Sequence, residues 1–88
     1  MKIQLTDEAK SDLQLISEKV QGKVFKKISY LEMFPYLGHQ MNGVYKGFRC
    51  LLAGSSPSYK VIYKIIQNEV VIYYVRHPSR QDRLRVVR

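Results

Sequence analysis

Two runs rich in β-branched and aromatic residues, 59–66 and 69–77, flank a tight break at Gln67-Asn68-Glu69. This is the composition that strands prefer, and the separation is that of a hairpin. The second run ends in Arg76 and His77, with Arg80 three residues on. A hairpin whose last strand brings two arginines and a histidine to one spot is expected to form a platform for phosphate.

The chain has 88 residues, 45% of them hydrophobic and 25% charged. One globular domain spanning 1–88 is expected, near the lower size limit for a core without staples. Cys50 stands alone, which excludes an intrachain disulfide and a cysteine-based zinc site. No metal or other cofactor is expected. The N-terminus lacks the apolar run of a signal peptide, and no segment approaches membrane-spanning length. A reducing cytoplasm and no membrane partner are the expectation. Charge is uneven: residues 1–44 carry a net +1 and residues 45–88 a net +7. A basic half on a neutral half suits a polyanionic partner, either nucleic acid or an acidic protein.

Lys2 to Leu5 alternates as a short strand does. Thr6 can cap a helix whose first turn holds Asp7 and Glu8, and Ala9, Leu13, Ile16 and Val20 recur along one helical face. Gly22 is expected to break that helix. A second follows, with Val24, Ile28 and Leu31 inward, and Phe34-Pro35 stops it. From Pro35 to Gly47 the chain reads as loop, 48–53 as a strand and 54–58 as a turn. The order is β-α-α-β-β-β, an α+β fold whose last three strands form an antiparallel meander. The basic tail from Pro78 to Arg88 has no assigned structure.

Several of these segments together resemble the RelE/ParE toxins of bacterial type II toxin–antitoxin systems. They are Thr-Asp-Glu-Ala-Lys-Ser-Asp-Leu opening the first helix, Pro35-Tyr-Leu-Gly38, Lys46-Gly-Phe-Arg49, Tyr59-Lys-Val-Ile-Tyr-Lys-Ile65 and Val75-Arg-His77. The resemblance implies a two-helix hairpin packed on a curved antiparallel sheet and a cognate antitoxin that wraps and neutralises the toxin. RelE-like members cut mRNA in the ribosomal A site; ParE-like members poison DNA gyrase. The short hairpin, about residues 6–34, is more like that of the ribosome-dependent nucleases. Ribosome and mRNA are therefore the expected targets. DNA gyrase, or antitoxin binding by a catalytically degenerate homologue, is the alternative.

Metal-free RNA cleavage uses the 2′-hydroxyl as nucleophile and needs a base, an acid and cations for the charged phosphorane. Lys60 occupies the position of the family's third-strand arginine and is the expected phosphate contact, although lysine lacks the bidentate fork. Lys64 lies on the same strand face and suits a backbone phosphate. His77 is the acid–base candidate, since imidazole exchanges protons near neutral pH. Arg76 and Arg80 flank it. His39 lies near the place of a glutamate base in the YoeB branch, which raises a His39–His77 pair. Arg49, Lys46 and Arg83 complete the candidate RNA contacts. Tyr59, Tyr63 and Tyr73 are expected to pack the sheet, while Tyr74 is assigned to either core or base stacking. Two departures stand out: RelE's second-strand lysines are replaced by Cys50 and Leu52, and its arginine after the last strand falls near Pro78.

Overall fold

The computed structural model describes residues 1–54 and 58–77. The chain runs β1 (Lys2–Leu5), α1 (Asp7–Gln14), α2 (Glu18–Ser29), a 3₁₀ turn (Tyr30–Glu32), β2 (His39–Gln40), a second 3₁₀ turn (Gly43–Tyr45), β3 (Arg49–Ala53), β4 (Tyr59–Ile66) and β5 (Glu69–Arg76). The expected α+β order holds, with one short strand added inside the 35–47 loop. The strands form a five-stranded sheet in the order β1-β5-β4-β3-β2. The β3-β4-β5 meander is antiparallel as expected, but β1 joins β5 in parallel, so the sheet is mixed. Gln67 and Asn68 both have positive φ, 47° and 64°, the conformation that a two-residue hairpin turn requires.

Thr6 joins the first strand to the first helix. Its hydroxyl accepts from Ala9 N at 3.1 Å as an N-cap and donates to Tyr73 O at 3.1 Å on β5. The expected helix break at Gly22 is corrected: the break falls at residues 15–17, and Gly22 sits inside α2. Gln21 supplies the reason. Its side-chain amide donates to Leu13 O at 2.7 Å and Ile16 O at 3.1 Å. It thereby gives a further donor to Leu13 O, which also accepts from Ile16 N, and a donor to Ile16 O just past the end of α1. Glu18 in the first turn of α2 complements the positive end of that helix.

The core lies between the helices and one sheet face. Ala9, Leu13, Ile16, Val24, Ile28 and Leu31 meet Leu51, Ala53, Val61, Tyr63, Val70, Ile72 and Val75. Alternation on β4 sends Val61, Tyr63 and Ile65 to this face and Lys60, Ile62 and Lys64 to the other. On β5 the register slips: Ile62 pairs with Tyr74 and Tyr63 with Ile72, leaving Tyr73 as an extra residue. Such a bulge shifts the alternation by one. Val75 therefore stays in the core with Val70 and Ile72, and Tyr74 and Arg76 turn to the face away from the helices.

Tyr63 fixes the end of the helical hairpin to the sheet. It is fully buried, its hydroxyl donates to Pro35 O at 2.7 Å, and it accepts from Gly38 N at 2.9 Å. Gly38 leaves no room for a larger residue: a Cβ there would lie 2.8 Å from both Cys50 O and the Tyr63 hydroxyl. The Pro35-Tyr-Leu-Gly38 segment is thus shaped by one buried phenol.

Candidate nucleic-acid interface

Cross-strand register places side chains on the sheet face that the helices leave uncovered. Leu52, Lys60 and Arg76 form one row, and His39, Cys50, Ile62 and Tyr74 the next. Beyond them Lys64 sits with its ammonium 4.5 Å from the Phe48 ring centroid and 6.0 Å from that of Tyr73. Phe48 meets Tyr73 edge-on at 5.2 Å and Tyr45 edge-on at 5.9 Å. Among the described residues neither Lys60 nor Lys64 has an ion-pairing carboxylate. Cations beside aromatic rings are the combination that holds phosphates and stacks unpaired bases.

Cys50 and Ile62 are buried although they lie on this face. Burial pushes the Cys50 thiol above its ordinary range, with Lys60 acting in the opposite direction. Burial also raises the Tyr74 phenol, helped by Glu8. Both groups stay neutral at physiological pH. The charge on this face comes from Lys60 and Lys64, which stand four residues apart, about 13 Å at the rise of a strand.

The expected meeting of Arg76, His77 and Arg80 at one spot is corrected for the first two. Arg76 donates from Nη1 to Asp12 Oδ1 at 2.9 Å, approaches Glu8 Oε2 at 3.4 Å, and lies 4.6 Å from the Tyr74 ring centroid. The same Asp12 carboxylate accepts from Val75 N at 2.9 Å through Oδ2. Since β1 pairs β5 only as far as Ile72, Asp12 takes over beyond that point and closes the exposed strand edge. Arg76 therefore clamps α1 to β5, and a phosphate would compete with two carboxylates for it. His77 stands at the end of β5 with its ring edge-on to Tyr59 at 5.1 Å. Tyr59 packs against the core, so His77 leans to the helix side of the rim, whereas Lys60 faces away from the helices. Arg80 and Arg83 lie outside the described residues.

The His39–His77 pair is likewise not assembled. His39 is on β2, opposite Cys50 and three strands from β5 in the sheet. At a strand spacing of about 4.8 Å, that separates the backbones by roughly 14 Å. The two residues also lean to opposite faces. Arg49 serves first as a strut. Its Nε donates to Gly38 O at 2.9 Å, Nη2 approaches Tyr36 O at 3.4 Å, and the guanidinium lies 5.1 Å from the Tyr36 ring centroid. Lys46 is exposed at the end of the second 3₁₀ turn. Among the described residues no group of three or more histidine, cysteine or carboxylate side chains is placed to hold a metal. Among the described residues no helix is long and apolar enough to cross a membrane.

Sequence reasoning missed Phe48 as a neighbour of Lys64, and Tyr45 as the ring that meets Phe48 edge-on. The signal was present in Tyr45-Lys-Gly-Phe48, but only the fold carries that loop across to β4.

A family model described as the ParE toxin of type II toxin–antitoxin systems matches residues 3–82. A search of the curated proteins finds no significant match. Among solved structures, the chromosomal ParDE system of Pseudomonas aeruginosa aligns with a TM-score of 0.74 at 17% identity, over 88% of this chain and 95% of that one. A RelBE toxin–antitoxin complex of Mycobacterium tuberculosis gives 0.70 at 20% identity, over 86% and 95%. The intact RelBE complex of E. coli gives 0.71 at 14%, over 85% and 93%. At these identities the structures establish the fold, and the family match spans nearly the whole chain. The chain belongs to the RelE/ParE superfamily and is the toxin of a type II toxin–antitoxin system.

Proposed function

We propose that this toxin is a ribosome-dependent, metal-independent endoribonuclease that cuts mRNA in the A site. The observation that carries the reading is the sheet face away from the helices, where Lys60 and Lys64 lie without ion-pairing carboxylates among the described residues, and Lys64 sits beside Phe48 and Tyr73. In the reaction the RNA 2′-oxygen attacks the adjacent phosphorus, the 2′-hydroxyl proton leaves, and the bond from phosphorus to the 5′-oxygen breaks. A 2′,3′-cyclic phosphate and a protonated 5′-hydroxyl result. Lys60 offsets the extra negative charge on the phosphorane. His77, at the same end of the sheet, exchanges the proton on the reacting oxygens. Lys64 holds a neighbouring backbone phosphate, and the aromatic rings stack bases. The cognate antitoxin suppresses activity by covering this basic face, which suits an acidic binding segment.

A second reading, a non-enzymatic inhibitor of DNA gyrase, is favoured by two observations. The matching family model is that of ParE, and Lys60 and His77 lean to opposite sides of the rim. Expression of wild type, Lys60→Ala and His77→Ala in growing cells separates the two. RNA cleavage predicts new mRNA ends carrying 5′-hydroxyls, and a fall of at least ~10²-fold in cleavage for His77→Ala, the usual contribution of a general acid or base. Gyrase inhibition predicts intact mRNA, trapped DNA breaks, and growth arrest that survives His77→Ala.

A further inference from the structure

The loop between the helices and β3 does more than connect them. With β3 and β4 it encloses a cleft of about 460 Å³, lined by Tyr36, Gln40, Asn42, Lys46, Phe48 and Arg49, with Ile65 among the remaining lining residues. That volume falls within the roughly 300–1,000 Å³ of small-ligand sites. Among the described residues no carboxylate lines it, while two cations do. Among the described residues Lys46 has no ion-pairing carboxylate. Arg49 uses two of its N–H groups on Gly38 O and Tyr36 O, and a guanidinium has five.

The remaining lining has the chemistry that reads a base. Tyr36 is 65% exposed, and with the Arg49 guanidinium over its ring it forms a planar platform of the kind on which unpaired bases stack. Gln40 and Asn42 each bring an amide that can donate and accept, matching a base edge. The cleft is also continuous with the basic sheet face. Phe48 lines the cleft and carries the Lys64 ammonium over its ring. Gly47 lies between, where a Cβ would be 3.9 Å from Lys64 Cε. Its φ of 97° favours glycine, so the turn that opens the cleft also leaves its threshold bare.

We propose that this cleft is a subsite for one nucleotide of single-stranded RNA, stacking its base on Tyr36, reading its edge with Gln40 and Asn42, and holding its phosphate with Lys46 and Arg49. The choice of RNA as ligand rests on the cleavage reading above. Four residues along β4 separate the Lys64 threshold from Lys60, so the nucleotide bound here is not the one cut but a neighbour. The cleft is then a source of sequence preference. An acidic protein segment would use the two cations but leave the aromatic platform and the amides without a role.

The test is an NMR titration of the full-length ¹⁵N-labelled toxin with four homohexamer oligoribonucleotides and, separately, a hexaglutamate peptide. The comparison variants are Asn42→Ala, Gln40→Ala, Lys46→Ala and Lys60→Ala. The first three alter exposed side chains and leave the fold intact, which the spectra themselves verify. The expected result is RNA-dependent shifts of the Gln40 and Asn42 side-chain amides. Lys46→Ala weakens all four oligomers alike and lowers the salt slope by about one. Asn42→Ala or Gln40→Ala changes the ranking of the four. Shifts confined to the Lys60–Lys64 face, or unchanged affinity and ranking in the cleft variants, overturn the subsite. So does a cleft that responds to hexaglutamate and not to RNA. Cleft binding without ribosomal cleavage sinks the cleavage reading alone. Cleavage in the A site with cleft variants unchanged in binding and codon preference sinks the subsite alone.

Discussion

Replacing Tyr63 by phenylalanine removes one oxygen and tests how the helical hairpin is held over the sheet. The side chain is 0% exposed, and its hydroxyl donates to Pro35 O at 2.7 Å and accepts from Gly38 N at 2.9 Å. Each neutral bond contributes about 1 kcal/mol net, and a buried partner left unpaired costs about 1–3 kcal/mol. Pro35 is half-buried and can recover some hydration, but Gly38 is buried and has no space beside it. The loss is therefore about 2–4 kcal/mol, a large share of the roughly 4–13 kcal/mol expected for a domain of this size. At ~4–8 °C per kcal/mol the thermal midpoint should fall by roughly 8–32 °C. Urea denaturation followed by far-UV circular dichroism measures the free-energy loss, with an unchanged slope showing that both end states are preserved. Tyr73→Phe is the control, because the Tyr73 hydroxyl makes no hydrogen bond among the described residues; it should cost under ~0.5 kcal/mol. A Tyr63→Phe loss as small as that of the control would refute the role given to this hydroxyl. Because Gly38 O also receives Arg49 Nε, Tyr63→Phe should loosen the cleft as well.

Further consequences follow from the same packing. Gly38→Ala places a Cβ 2.8 Å from Cys50 O and from the Tyr63 hydroxyl and should destabilise by about 1–3 kcal/mol, the usual cost of overpacking. Gly22→Ala should stabilise by about 0.5–1 kcal/mol, because nothing lies within 4 Å of the new Cβ and alanine favours the helix interior; both changes are read by the same urea titration. Asp12→Ala leaves Val75 N without its acceptor and Arg76 with only the longer approach to Glu8 Oε2, at side-chain exposures of 11% and 10% for the Arg76–Asp12 pair. Thermal melts should show a loss of about 2–4 kcal/mol. Glu8→Ala, where the carboxylate is 58% exposed, should cost under ~0.5 kcal/mol.

What the sequence made legible follows physical range. The hairpin of β4 and β5, its two-residue turn and the capped start of α1 are local, and composition with spacing reveals them. The parallel docking of β1 on β5 joins residues more than sixty apart, and nothing in Lys2 to Leu5 announces its partner. Gly22 misled because a glycine marks a helix end only when no better signal stands nearby; the Gln21 amide and Glu18 supplied that signal. Within the site, Lys60 and Lys64 were correctly placed on one face because β4 is regular there. Arg76 was misjudged because its partners, Glu8 and Asp12, lie on the first helix. The Tyr73 bulge, invisible in sequence, keeps Val75 in the core and turns His77 toward Tyr59.

RNA cleavage is tested most directly by adding purified toxin to ribosomes stalled on a defined mRNA and mapping new ends by primer extension, with His77→Ala in parallel. Ends inside the A-site codon, absent from free mRNA and lost in the variant, are the predicted result. An unbroken message in the presence of folded wild-type protein would contradict the nuclease and direct attention to gyrase.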